Sequence, residues 1–225
     1  MFRDREQILE ALSRTGRRLA LADADEHSLL VCGGSALNLS GLLDRPTRDV
    51  DVLGLVKGPK ATLVVEELLP EEVRRAAETV ASDLNLPSDW LNDAALEVHR
   101  MGLPVGILKR AERQMFGPCL TVYLISRQDQ VALKLYAAID REKGQRHLKD
   151  LVAIVPTLRE MESAVDWLLN RPTSLQFREA VRRLAEGLGF PKLTAFGAAA
   201  VTNRAQRGAK NLKRKRRRKG AIPKM

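Results

Sequence analysis

The chain has 225 residues, enough for one sizeable core or for a compact domain with a helical extension. Its apolar fraction of 44% and charged fraction of 29% are those of an ordinary soluble protein, and its longest apolar runs are too short to span a bilayer. The N-terminal stretch has no secretory signal, and Cys32 and Cys119 lie in apolar runs typical of reduced, buried thiols. We therefore predict a cytoplasmic protein without membrane contact.

The net charge of +10 comes from the C-terminal tail, residues 203–225. This tail holds 11 of the 38 basic residues and none of the 28 acidic ones, which leaves 27 basic against 28 acidic residues in the first 202. Such a block of like charge repels itself, so we predict that it is disordered when free. It can bind a phosphate backbone without reading sequence, and its predicted RNA contacts are Arg214, Arg216, Arg217 and Arg218. A purely solubilising tail is the open alternative.

The first 125 residues alternate between helical and strand periodicity. Asp4 and Gln7 have capping-box spacing at the start of the first helix, and Pro70 is placed to begin a later one. The predicted elements are a helix over 4–23, a strand over 28–32, a helix from 35, a strand over 48–55, a helix over 70–84, a short helix or turns over 86–98, and strands on either side of Gly117-Pro118.

From Ser126 onward the pattern is helical, with four predicted helices over 126–142, over 144–154, from Thr157, and from Thr173 to near Gly187. Three of them begin with a capping box, formed by Ser126 with Asp129, Thr157 with Glu160, and Thr173 with Gln176. We expect an α/β (α+β) fold in which residues 1–125 form a small mixed-sheet domain with an N-terminal helix. Residues 126–190 then form a helical domain that contributes to the site, and residues 191–225 form the basic tail.

The most informative stretch is GGSALNLSGLLDRPTRDVDV, residues 33–52. A strand that leads through Gly33, Gly34 and Ser35 into a helix presents backbone N–H groups to an anion, and glycine lets a phosphate approach the chain closely. The Ser35 hydroxyl adds a donor. Gly-Gly-Ser alone is a common turn, and the chain has neither a P-loop nor a dinucleotide-binding fingerprint.

Polar residues follow this turn at every second position, namely Arg45, Thr47, Asp49 and Asp51. In an extended segment they share one face. Two carboxylates on one face of an otherwise apolar strand repel each other, and burying both is costly unless a cation lies between them. Mg²⁺ held by carboxylates and substrate phosphates meets this need. A solvent-facing strand edge is the alternative that this motif alone leaves open.

Taken together, the strand, the Gly-Gly-Ser turn, the helix and the Asp-x-Asp strand resemble the polymerase-β-like nucleotidyltransferase superfamily. The Arg-x-Thr-x-Asp-x-Asp run looks most like the branch of abortive-infection and toxin–antitoxin nucleotidyltransferases. SDWLNDAA (88–95) and VALKLYAAIDREKGQRHLKDLVAI (131–154) are similar to later segments of that branch, and Lys134, Arg141 and Asp150 match its lysine, arginine and acid. The resemblance covers roughly residues 28 to 155.

The resemblance implies a Mg²⁺-dependent enzyme that transfers a nucleoside monophosphate from an NTP to an acceptor hydroxyl and releases pyrophosphate. It implies RNA, possibly tRNA, as the acceptor and an antitoxin protein as a partner. The implied catalytic residues are Asp49 and Asp51, which also bind the metal, with Lys134 and Asp150. The implied nucleotide contacts are Gly33, Gly34, Ser35, Arg45, Thr47 and Arg141. Asp150 orients the lysine, acts as a base, or serves as an outer-shell ligand.

Some alternatives stay open on the sequence. The superfamily often has a third carboxylate on a later strand, which CLTVYLI lacks, so Asp150 or Glu97 would take its place. A small-molecule acceptor, or a non-catalytic antitoxin-like or RNA-binding module that uses the tail, is also compatible with the chain. The histidines have no ligand spacing and are expected to be surface or core residues, namely His27, His99 and His147.

Overall fold

The computed structural model describes residues 1–65, 67–95, 98, 102–140, 144–191 and 193. Within these residues the chain forms eight helices and six strands. The helices are α1 (Arg5–Leu21), α2 (Gly33–Leu39), α3 (Glu71–Leu84), α4 (Ile107–Arg110), α5 (Arg127–Ala137), α6 (Gly144–Ile154), α7 (Leu158–Leu169) and α8 (Leu175–Gly187). The strands are β1 (His27–Cys32), β2 (Val50–Lys57), β3 (Thr62–Val64), β4 (Leu91–Asn92), β5 (Glu112–Met115) and β6 (Leu120–Leu124).

The six strands form one mixed sheet in the order β3-β2-β1-β6-β5, with β4 paired to β2 beside this path. β1 is central, antiparallel to β2 and parallel to β6. The antiparallel register places Cys32, the last residue of β1, opposite Asp51 near the start of β2. The turn that follows β1 therefore lies beside the acidic end of β2, although Gly33 and Asp51 are eighteen positions apart.

Helices cover both faces of the sheet. α1 and α3 bury an apolar cluster against one face, in which Phe2 packs edge-on against Trp90. On the other face, Leu133 of α5 packs with Leu30 and Cys32 of β1. Helices α5 to α8 share a further apolar cluster, and Leu37 of α2 packs into it. Because each such buried side chain contributes about 1.5–3 kcal/mol, Leu37 firmly connects the turn after β1 to the helical part of the chain.

Three predicted helix starts agree with the structure. Asp4 caps α1 by accepting from Gln7 N, and Ser126 caps α5 by accepting from Asp129 N. At α7, Thr157 and Glu160 form the complete capping box. These local contacts satisfy backbone N–H groups that a helix leaves unpaired at its start, which is why the sequence alone could indicate them.

The mixed α/β architecture is confirmed, and several boundaries differ from the prediction. Ser174 rather than Thr173 caps α8, β2 begins at Val50 rather than at 48, and α5 ends at Ala137 rather than 142. The segment predicted as a short helix or turns contains β4, and β3 and α4 were not predicted. No helix among the described residues combines the length and apolar character that crossing a membrane requires. The tail, residues 203–225, lies outside the described residues.

Candidate functional site

The glycine turn after β1 packs directly against the acidic strand. Gly33 has φ +79°, a left-handed conformation that disfavours other residues, and a Cβ there would overlap Oδ2 of Asp51. At Gly34 a Cβ would lie 2.7 Å from Oγ1 of Thr47 and 3.2 Å from Nη2 of Arg45. Two successive positions thus require glycine, because polar side chains from the alternating row Arg45, Thr47 and Asp51 occupy the space beside them.

The alternating polar row meets the turn, although only its last member lies in a strand. Asp51 belongs to β2, Asp49 comes just before it, and Thr47 pairs with Phe2 through backbone hydrogen bonds of 2.8 and 3.1 Å. Asn38 of α2 fixes the start of the row, because its side chain donates to Arg45 O at 2.8 Å and accepts from Arg45 N at 3.1 Å. The predicted shared face is therefore formed by an irregular segment that α2 holds in place.

The two acids are placed where their charges repel. Burial and the neighbouring charge of Asp49 raise the pKa of Asp51 to about 6, against the opposing charges of Lys134 and Arg146. Burial and the charge of Asp51 also raise the pKa of the Cys32 thiol, so Cys32 stays protonated at neutral pH and is not a nucleophile. Asp51 is thus a partly buried acid, and the fold brings a second acid close to it.

A buried ion cluster lies across from this pair, where α5 meets α6. Lys134 is 5% exposed and donates from Nζ to Oδ2 of Asp150 at 2.7 Å. Arg45 binds the same carboxylate bidentately, donating from Nε to Oδ1 at 2.7 Å and from Nη2 to Oδ2 at 2.8 Å. Burial opposes ionisation of Asp150, but the hydrogen bonds from Arg45 and the charge of Lys134 outweigh it and hold its pKa below the ordinary value.

These contacts decide between the roles left open for Asp150. Both of its oxygens accept hydrogen bonds from cations, and the residue is only 2% exposed. The geometry favours an orienting role, in which Asp150 fixes the side chains of Lys134 and Arg45, over a role as base or metal ligand. Arg45, expected as a nucleotide contact, has three donors engaged with Asp150 and with Pro46 O.

Two residues that the sequence analysis did not select also belong here. Arg146 is exposed on α6, one turn before Asp150, and its charge acts on Asp51. His147 is half-buried, and its Nδ1 is buried without a hydrogen-bond partner. Burial and the charge of Lys134 lower the pKa of His147 to about 4, so the ring is neutral at pH 7. Helical spacing from Asp150 was the available signal for both residues.

Of the remaining predicted site residues, Ser35 is described by the structure and the others are not. Ser35 is fully buried, and its hydroxyl donates to Cys32 O at 3.4 Å, within the turn itself. Arg141 and Glu97 lie outside the described residues. The same holds for the predicted RNA contacts Arg214, Arg216, Arg217 and Arg218.

The Asp49 and Asp51 pair fits a hard divalent cation. Carboxylate oxygens are the ligands that Mg²⁺ prefers, and a cation between two repelling carboxylates turns an unfavourable contact into a favourable one. Across the part of the chain that the structure describes, no group of three or more His, Cys, Asp or Glu could hold a metal ion. Ions at this pair would therefore complete their coordination with substrate oxygens and water, as Mg²⁺ often does.

An open cavity of about 510 Å³ lies between α3 and β4, next to the acidic strand. It adjoins that strand through Asn92, which pairs with Asp51 across the parallel β2–β4 ladder. Its charged lining is mostly acidic, with Arg74 beside Glu71, Glu78, Asp89 and Asp93.

Comparisons of the chain with protein-family models, curated proteins and solved structures give no match. The functional assignment therefore depends on the geometry of the site and on the motif resemblance.

Proposed function

We propose that this protein is a Mg²⁺-dependent nucleotidyltransferase that transfers a nucleoside monophosphate from an NTP to an acceptor hydroxyl. The observation that carries the proposal is the placement of Asp51 against Gly33 of the turn, with the charges of Asp49 and Lys134 both acting on it. Two repelling acids there lower the stability of the apo protein and are of use once a cation and phosphates bind. The resemblance of residues 28 to 155 to the polymerase-β-like superfamily supports the same activity.

The proposed transfer needs no reactant other than the NTP and the acceptor hydroxyl. The acceptor oxygen forms a bond to the α-phosphorus, the bond from that phosphorus to the bridging oxygen of the β-phosphate breaks, and the electron pair leaves with pyrophosphate. The hydroxyl proton passes to solvent. Mg²⁺ bound by Asp49 and Asp51 would neutralise phosphate charge and make the hydroxyl a better nucleophile.

The chain's own residues position the reactants. Lys134 supplies a positive charge beside the acid pair, and Asp150 keeps its ammonium in one orientation. Gly33 and Gly34 leave room for the side chains of Asp51 and Thr47 against the turn, so the proposed metal-binding acid is held beside the backbone along which the triphosphate would lie. Because positioning can supply several kcal/mol of a barrier, these restraints matter even where they make no covalent contact.

For the acceptor we favour RNA, with tRNA as the first substrate to test. The branch resemblance suggests a toxin that modifies RNA ends and is inhibited by an antitoxin protein. The basic tail, with 11 basic residues and no acid, supports attraction to a phosphate backbone.

The proposal is tested by incubating the purified protein with Mg²⁺, each of the four α-labelled NTPs in turn, and total tRNA. We expect label on RNA with the wild type and a loss of about a thousandfold or more in the Asp49→Ala variant, because metal and phosphate alignment are lost. Asp44→Asn is the matched control, since Asp44 is an exposed acid five residues earlier. Absence of transfer by the wild type, or equal transfer by Asp49→Ala, would overturn the catalytic proposal.

The acidic cavity favours a second candidate, in which the acceptor is a small cationic molecule that bears a hydroxyl group. Glu71 and Asp89 are neutralised by ion pairs with arginines. Glu78 and Asp93 form no ion pair among the described residues, so they would attract a small cationic acceptor, whose hydroxyl could reach the site past Asn92. Running the assay with cationic amino sugars in place of tRNA separates the two. Label on the amino sugar that is lost in a Glu78→Gln variant would favour the small molecule.

A further inference from the structure

Arg146 differs from the other cations around the acid pair. Lys134 and Arg45 are both engaged by Asp150, and Arg48 pairs with Asp89 at 2.7 Å. Arg146 has no hydrogen bond or acidic partner among the residues that the structure describes, and its side chain is exposed. Among these described residues, Arg146 can therefore bind an added anion without first breaking an ion pair.

The position of Arg146 suits contact with the terminal phosphates of the NTP. It lies one turn before Asp150 on α6, on the solvent side of the buried ion cluster, and its charge reaches Asp51. In the proposed reaction the α-phosphate lies at the acid pair, so the β- and γ-phosphates extend away from it. A guanidinium at the outer rim presents a planar fork of donors that matches a terminal phosphate bidentately.

We infer that Arg146 binds the terminal phosphates of the NTP and stabilises the charge that develops on departing pyrophosphate. The inference rests on the proposed nucleotidyl transfer and adds a specific role for this residue. Since Lys134 is held inside the protein by Asp150, Arg146 supplies the exposed half of the phosphate site. In this role Arg146 contacts the phosphates and does not discriminate between nucleobases.

Calorimetric titration tests this without requiring turnover or knowledge of the base. Magnesium tripolyphosphate is titrated into full-length wild type and into Arg146→Ala and Arg146→Lys variants, alongside a mixture of nucleoside monophosphates. We expect Arg146→Ala to weaken tripolyphosphate binding by roughly tenfold or more and to leave monophosphate binding unchanged, because the variant loses charge-assisted hydrogen bonds to distal phosphates alone. Arg146→Lys should fall between the two, since it keeps the charge and loses the fork.

Lys149→Ala is the matched control, because Lys149 is also exposed and basic on α6. It should change tripolyphosphate affinity by less than about twofold, because Lys149, unlike Arg146, is not among the charges that act on Asp51. If the Arg146→Ala variant binds tripolyphosphate as tightly as wild type does, the role of Arg146 is overturned and the nucleotidyltransferase proposal still stands. Wild type that binds neither magnesium tripolyphosphate nor any NTP overturns the proposed function itself. Loss of tRNA binding with tripolyphosphate binding intact would assign Arg146 to the acceptor and overturn this inference.

Discussion

Two carboxylates at the site, Asp150 and Asp51, are both withdrawn from water but differ in their surroundings. Asp150 accepts three hydrogen bonds from Arg45 and Lys134, and these hold its pKa low. Asp51 lies beside another acid, Asp49, and burial raises its pKa to about 6. The fold itself supplies the cations that pair with Asp150, whereas no cation in the described part of the chain lies at hydrogen-bonding distance from Asp51.

The difference separates an acid whose charge the fold neutralises from an acid that the fold places beside another acid. Asp150 joins α6, α5 and the segment before β2 in one ion cluster, so it holds the helical part against the sheet. Asp51 contributes an unfavourable charge to the apo protein. Replacing Asp150 should therefore lower the free energy of unfolding, whereas replacing Asp51 should raise it. If Asp51 binds a divalent cation, stabilisation of the protein by that cation should depend on Asp51.

The largest change in stability is expected when Asp150 is removed. Asp150→Ala leaves two buried or partly buried cations facing each other without an acid, which should lower the free energy of unfolding by about 3–5 kcal/mol. Urea unfolding followed by circular dichroism at pH 7 measures it. Asp166→Ala, at an exposed acid on α7, is the control and should change stability by less than about 0.5 kcal/mol. A loss below about 1 kcal/mol at Asp150 would contradict its structural role.

Replacing Asp51 should have the opposite sign. In the folded protein its pKa lies at about 6 against an ordinary value of 3.8, so the native state holds the proton more tightly than the unfolded chain does. Stability from this group is therefore complete below about pH 4 and is lost as pH rises through 6. Asp51→Asn removes this loss and should stabilise the protein at pH 8 by about 1–3 kcal/mol.

The pH dependence provides the internal control for Asp51→Asn. Urea unfolding at pH 8 and pH 4 should show the gain at the higher pH only, because at the lower pH Asp51 is mostly protonated in the folded protein. The nucleotidyl transfer activity of the same variant should be lost. A variant that is less stable than wild type at pH 8 would show that Asp51 supports the fold and would remove the contrast with Asp150.

The same contrast explains how much of the site could be predicted from sequence. Gly33, Gly34, Asp49 and Asp51 lie within twenty residues, and their types and spacing predicted a glycine turn beside paired acids. The structure brings Gly33 against Asp51, while phosphate binding at the turn stays a prediction. The architecture followed from helical and strand periodicity and from capping residues, which report local energetics.

Features that depend on distant partners could not be found in this way. Arg45 and Asp150 are 105 positions apart, so only the folded chain shows that they pair and that Asp150 is occupied by cations. β4 is two residues long and exists because β2 offers its edge, which no periodicity could indicate. Arg146 and His147 resemble ordinary surface residues until α6 packs beside Lys134.

The smallest expected effect tests directly whether a metal ion is the missing partner of Asp51. At a Mg²⁺ concentration ten times its dissociation constant, binding to the folded protein alone should add about 1.4 kcal/mol of stability at pH 8, a rise in Tm of roughly 3 to 6 °C. Thermal unfolding with MgCl2, against NaCl at equal ionic strength, measures the shift in wild type and in Asp51→Asn. The variant should show none, and the wild-type shift should shrink below pH 6, where protons compete with Mg²⁺ for Asp51. An equal shift in both proteins would show that Mg²⁺ binds elsewhere on the protein and would contradict the proposed metal-binding role of Asp51.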